Sequence, residues 1–297
     1  MTAESGTPGA GPRLAVLGAG VMGSGIAALA VGHGMAVSLV DLDRRRLADA
    51  PARIGHQVRT ARLLGALPDG AVPGALVTGL SLAALVTGGD AAPTAVIEAV
   101  TEDADAKAKV LADVSALVAP GTPIISNTSA IPIDELARAT VRPADLIGTH
   151  FMNPPYLIRT VEVIRGTHTG EATLDALRAL LAALGRQPIV VNDAPGFVTS
   201  RILHPMINDA VRVVAAGTAS AESVDRLMQG CLGHPTGPLR TADLIGLDNL
   251  ADSLWVLHRR TGDEGCRPCD LLLEMVRAGH LGRKSGRGFY EYEGEQA

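Results

Sequence analysis

The chain has 297 residues, 47% of them hydrophobic, 19% charged and 2% aromatic, with a formal net charge of −5. This is too apolar for a disordered chain, too acidic for a general nucleic-acid binder, and long enough for two domains rather than one core. No uninterrupted apolar run reaches the roughly 20 residues of a membrane-spanning helix.

Residues 1–12, MTAESGTPGAGP, carry neither a basic start nor an apolar stretch, so they read as a flexible tail and not as a secretory signal. Arg13–Leu17 is the first predicted strand, followed by a glycine-rich turn and a helix over Ser24–Val31. Ala36–Val40 forms the next strand and ends at Asp41. Further strands are predicted at Thr94–Ile97, Pro123–Ser126, Leu146–Thr149, Thr160–Ile164 and Pro188–Val191, with helices over Lys107–Val118 and Glu171–Leu184. Strand and helix alternating in this way specify an α/β domain, a doubly wound and mainly parallel sheet of the Rossmann type. After Pro195-Gly196 the pattern becomes helical: Val198–Ala216, Ser220–Met228, Thr241–His258 and Pro268–Ala278. The domains are therefore placed at 13–192 and 193–297, the second all-α.

Gly18-Ala19-Gly20-Val21-Met22-Gly23 follows a strand and opens a helix, the context a dinucleotide-binding GxGxxG needs. Gly18 permits the tight turn, Gly20 lets the backbone approach a diphosphate, and Gly23 allows close helix–strand packing. Asp41 ends the second strand, where a carboxylate accepts bonds from the adenosine ribose and repels a 2′-phosphate. NAD is expected over NADP, although Arg44, Arg45 and Arg46 lie near enough to receive that phosphate. A solvated helix face is the plainer explanation of those arginines. All but three of the 26 Lys and Arg residues are Arg, so Lys107, Lys109 and Lys284 stand out as positions where a compact ammonium is kept.

Oxidation of an alcohol requires a base and a group to hold it. His150 ends the strand Leu146–Thr149 at the carboxyl edge, where open α/β sheets bind ligands. Glu162 lies twelve residues on, beyond the turn forced by Asn153-Pro154-Pro155, so the two segments can return side by side. A carboxylate on one imidazole nitrogen fixes the tautomer and raises basicity at the other. Taken alone, His150 fits a satisfied core histidine as well.

Through Glu98-Ala-Val-Thr-Glu102, Ser126-Asn-Thr-Ser129, Gly148-Thr-His-Phe-Met-Asn-Pro154, Val161-Glu-Val163, Asp193-Ala-Pro-Gly-Phe197, Asp243-Leu-Ile-Gly-Leu-Asp248 and Leu281–Tyr290, the chain resembles the L-3-hydroxyacyl-CoA dehydrogenase family over nearly its whole length. The resemblance implies that His150 is the acid–base and Glu162 its partner. It also implies that Ser129 sits by the substrate oxygen, and that Glu102, Lys107, Asn153 and Lys284 lie near the nicotinamide half of NAD. An exposed helix lysine is the other reading of Lys107, and a turn cap that of Ser129. Where the family carries an asparagine to place the thioester, this chain has Ser200, a shorter hydroxyl. Gln57, Arg59 and Arg62 stand where mitochondrial-type members hold CoA.

Asn153–Leu157, Thr199-Ser200-Arg201 and Gly230–Gly237 look like the branch that oxidises glyceryl-acyl-carrier-protein for polyketide extender units. On that resemblance a glyceryl thioester on a carrier protein is the expected substrate, and 3-hydroxybutyryl-CoA the alternative. A non-catalytic NAD-binding protein of this fold would have no use for the His150–Glu162 pair. Family members pair through the helical domain, so the apolar face of Val198–Ala216 implies a homodimer. Three cysteines make no disulfide framework, and a reducing cytoplasm is the expected compartment. Cys266-Arg-Pro-Cys269 lacks a second pair, so no metal is expected and the segment reads as a surface loop leading into a helix.

Overall fold

The structure, a computed structural model, describes residues 13–81, 83 and 92–292; the predicted tail at 1–12 lies outside them. Two compact units part between Asp193 and Ala194.

The first unit contains β1 (Arg13–Leu17), α1 (Val21–Gly32), β2 (Ala36–Val40), α2 (Arg44–Leu63), β3 (Leu76–Gly79), β4 (Ala95–Glu98) and α3 (Ala104–Leu117). It continues with β5 (Ile124–Asn127), α4 (Ile133–Ala137), β6 (Leu146–His150), β7 (Thr160–Arg165), α5 (Glu171–Ala183) and β8 (Gln187–Asn192). Eight strands form one sheet in the order β3-β2-β1-β4-β5-β6-β7-β8. Every neighbouring pair is parallel except β6 and β7, so β7 and β8 run against the other six. The inner strands β4, β5 and β6 are buried along their whole length, which is why they read as unbroken apolar runs. At the edge, β8 exposes Ile189 and Val190.

The glycine- and alanine-rich helix α1 is buried from Gly23 to Gly32. Its small side chains let it sit close to α2 and the sheet. The helix α2 and the strand β3 were not among the predicted elements. Pro51 and six arginines disguise α2 as a broken polar segment, yet Leu47, Ala50, Ile54, Val58 and Ala61 bury one helical stripe. Asp43 starts it by accepting from the amides of Arg45 and Arg46. Packing of that stripe outweighs the amide donor lost at Pro51.

The second unit is helical: α6 (Thr199–Ala215), α7 (Ala221–Leu232), α8 (Pro238–Ile245), α9 (Leu247–Thr261) and α10 (Asp270–Arg277). The predicted single helix Thr241–His258 is two helices, because Gly246 at φ +96° breaks it. Two buried carboxylates tie the end of the chain to this bundle. Asp225 accepts from the amides of Leu239 and Arg240 and from the Tyr290 hydroxyl. Asp243 accepts from the amides of Phe289 and Tyr290 and from the Tyr292 hydroxyl. Both cysteines of the CxxC segment are free thiols. Cys266 is buried, not on a surface loop, while Cys269 precedes α10 as expected.

Candidate active site

The strand order turns back between β1 and β4, and this opens a crevice at their carboxyl ends. Gly18 sits there at φ +100°, with a built Cβ only 2.5 Å from the Ala99 carbonyl oxygen, so only glycine fits. A Cβ on Gly23 would lie 1.8 Å from the Gly18 carbonyl oxygen, hence the close approach of α1. By contrast, nothing lies within 4 Å of a Cβ on Gly20. Gly20 opens instead onto a recess lined by Ala19, Val21, Arg46 and Arg53. No side chain caps the start of α1 and its first turn holds no acid, so among the described residues its leading amides lack a side-chain acceptor. Val21 is exposed and Met22 half-buried beside them. Asp41 borders the loop, with Oδ2 accepting from the Ala19 amide at 2.7 Å and Oδ1 from the Asp43 amide at 2.8 Å.

Two further strand ends carry a buried charge network. Glu98 closes β4 and Lys107 rises from α3, both 0% exposed, with Nζ 2.8 Å from Glu98 Oε1. Such a pair is tolerable only when its remaining donors and acceptors are met. Here they are met. Lys107 also donates to the Asn127 carbonyl at 2.9 Å and lies 3.4 Å from Glu102 Oε2. Glu98 accepts from the Ser126 hydroxyl and the Val100 amide. Glu102 in turn accepts from the Thr128 hydroxyl and the amides of Ser129 and Ala130. Lys107 is thus no exposed helix lysine; through Glu102 it braces the turn that presents Ser129. Ser129 itself is half-buried, and its hydroxyl bonds to none of the described residues.

His150 and Glu162 are directly opposite each other in the antiparallel β6–β7 ladder. Side chains facing across such a pair share one side of the sheet, and Nδ1 lies 3.1 Å from Glu162 Oε2. The two residues are 7% and 6% exposed. A carboxylate only accepts, so Nδ1 carries the proton and Nε2 is the basic nitrogen of the neutral ring. The intervening turn exposes Asn153 and buries Pro155 against Gly25 of α1. Arg186, itself buried, holds that turn by donating to the carbonyls of Pro155 and Ile158.

Ser200 and Lys284 belong to the second unit. Ser200 lies in the first turn of α6, with a buried hydroxyl that bonds to none of the described residues. Lys284 Nζ contacts Asp248 at 2.6 Å. Among the described residues no group of three His, Cys, Asp or Glu could hold a metal, and no helix is long and apolar enough to cross a membrane.

Glu98, Arg53 and Arg186 had no role in the sequence reading. Glu98 appears there only as the first residue of the Glu98–Glu102 motif, an acid ending an apolar strand. The arginines gave none, since their partners are distant in sequence.

Residues 13–194 match the 3-hydroxyacyl-CoA dehydrogenase NAD binding domain, and residues 196–292 match the C-terminal domain of the same family. The chain belongs to the 3-hydroxyacyl-CoA dehydrogenase family. Its class follows from the family: an NAD-dependent oxidoreductase acting on a CH–OH group. A probable 3-hydroxybutyryl-CoA dehydrogenase of Bacillus subtilis is 41% identical over 281 residues, covering 95% of this chain and 97% of its own. A 3-hydroxybutyryl-CoA dehydrogenase of Bradyrhizobium diazoefficiens is 40% identical, covering 95% and 96%. Among solved structures, M. tuberculosis FadB2 superposes with a TM-score of 0.86 at 35% identity, covering 94% of this chain and 98% of its own. The (S)-3-hydroxybutyryl-CoA dehydrogenase of Ralstonia eutropha gives 0.82 at 38%, covering 95% and 99%.

Proposed function

We propose that this dehydrogenase oxidises the C3 hydroxyl of a short 3-hydroxyacyl-CoA, with 3-hydroxybutyryl-CoA as its substrate and NAD as its cofactor. The observation that carries this reading is the buried His150–Glu162 pair, at the carboxyl edge of the same sheet that holds the glycine loop. The loop suits a dinucleotide. Gly20 leaves open the space a side chain would fill, and the uncapped amides of α1 together with the two arginines favour a diphosphate. Asp41 keeps acceptor capacity for ribose hydroxyls and disfavours a 2′-phosphate. When bound, NAD supplies the hydride acceptor.

The chain's own residues handle the proton. His150 Nε2 takes it from the C3 hydroxyl, and the Glu162 carboxylate stabilises the imidazolium that results. Ser129, on the turn braced by Glu102 and Lys107, donates to the substrate oxygen. Asn153, exposed on the turn between β6 and β7, completes the nicotinamide side within the first unit. In the reverse direction the protonated His150 acts as the acid.

The names of the relatives move the preferred substrate from the carrier-borne glyceryl thioester to the CoA ester. The glyceryl reading keeps one observation of its own, the short Ser200 in place of an amide, which suits a smaller acyl group. NADH formation measured side by side on 3-hydroxybutyryl-CoA and glyceryl-acyl-carrier-protein separates them. Turnover of the CoA ester is the expected result; turnover of the carrier thioester alone reverses the order, and turnover of neither removes both substrate readings.

A further inference from the structure

We infer that Arg53, on α2, is a cofactor-positioning residue: it braces the glycine loop from behind and sets a positive charge beside the seat of the dinucleotide's diphosphate. The inference rests on the dinucleotide reading above and adds a residue outside the GxGxxG segment and the ribose-binding Asp41. Arg53 Nη2 donates to the Ala19 carbonyl at 2.7 Å and to the Ser24 hydroxyl at 3.0 Å, and Nε donates to the same hydroxyl at 3.2 Å. Ser24 is wholly buried in the first turns of α1 and bonds back to the Ala19 carbonyl at 3.1 Å. One guanidinium thus links the residue before Gly20 to the residue after Gly23, so the span between them cannot flex independently of α2.

The remaining terminal nitrogen, Nη1, bonds to none of the described residues, while Arg53 lines the recess onto which Gly20 opens. Arg46 lines the same recess from seven residues earlier on α2, with an exposed Asp43 carboxylate 3.6 Å from its Nε. Among the described residues Arg53 has no such acid partner. A planar guanidinium with a spare N–H edge, next to uncapped helix amides, matches a diphosphate in charge and in geometry. Arg53 therefore acts on the phosphates and not on the nicotinamide or the reacting hydroxyl.

Binding to the 297-residue chain, measured by calorimetry, tests this without turnover. The ligands are NADH, ADP-ribose, which has the diphosphate without nicotinamide, and adenosine, which has no phosphate. Arg53→Met should weaken NADH and ADP-ribose alike by about tenfold or more, and adenosine by less than about twofold. The salt dependence of ADP-ribose binding should become shallower. Arg53→Lys, which keeps the charge but loses the fork, should recover part of the affinity and serves as the readout if the methionine variant folds poorly. ADP-ribose affinity unchanged in both variants overturns the assignment, as does an equal loss of adenosine binding. Wild-type protein that binds neither NADH nor ADP-ribose overturns the dinucleotide reading itself, and this inference with it.

Discussion

Glu162 meets His150 because β7 returns antiparallel to β6 with those two residues in register, so nothing longer than a cross-strand contact is required. The pair was legible from sequence as a candidate: a strand, a proline-rich turn and a second β-like segment let the two residues return side by side, and the family motifs pointed to them. The β6–β7 register makes them face each other. His150→Ala should lower turnover by about two to four orders of magnitude and leave NADH affinity near wild type. Glu162→Gln should keep the ring in place but remove the charge that stabilises the imidazolium, so turnover falls by about tenfold or more while NADH affinity stays near wild type. Loss of NADH binding in His150→Ala, or wild-type turnover in Glu162→Gln, would contradict these roles. Arg53 and Glu98 show where reading at this scale stops. Arg53 bonds to Ala19 and Ser24 from 34 and 29 residues away, and Glu98 to Ser126 from 28. No local pattern encodes such pairings.

The glycine loop was legible as an element, and its three glycines are required for separate reasons. Gly18 needs its positive φ and Gly23 has no room for a Cβ, but Gly20 is needed only if something else occupies its recess. Gly20→Ala should therefore cost less than about 1 kcal/mol in thermal or urea unfolding while weakening NADH binding. Gly18→Ala should cost about 1–3 kcal/mol or more for backbone strain. Equal destabilisation by the two would make Gly20 a structural glycine. Helix α2 escaped prediction because Pro51 interrupts an otherwise good helix-forming stretch, and the buried stripe against α1 and the sheet decides the matter. The division of Thr241–His258 follows from one backbone angle at Gly246, which a helical apolar pattern does not report.

At the scale of the first unit, segments far apart in the chain set each other's chemistry. His33 caps the end of α1, with Nδ1 2.9 Å from the Leu29 carbonyl. Burial pushes its pKa below the ordinary 6.5; the Leu29 bond opposes that shift, and the charge of Arg186, from the start of β8, reinforces it. A histidine whose folded pKa lies below its unfolded one contributes stability above about pH 6.5 and loses it as pH falls through the lowered value. The melting temperature should accordingly drop between about pH 7 and about pH 5, and His33→Gln should flatten that limb. An equally steep limb in the variant would assign the loss to other groups.

Sequence by itself determined the alternation of strands and helices, the change to a helical second part, the glycine loop and the candidacy of the His150–Glu162 pair. All of these depend on periodicity, turn chemistry and neighbours within about a dozen residues. Only the tertiary structure decided the strand order, the burial of Glu98 with Lys107, and the clamps made by Arg53 and Arg186. A buried charge or guanidinium is settled by the acceptors the fold brings to it, and those come from distant strand ends and turns that local pattern does not bring together.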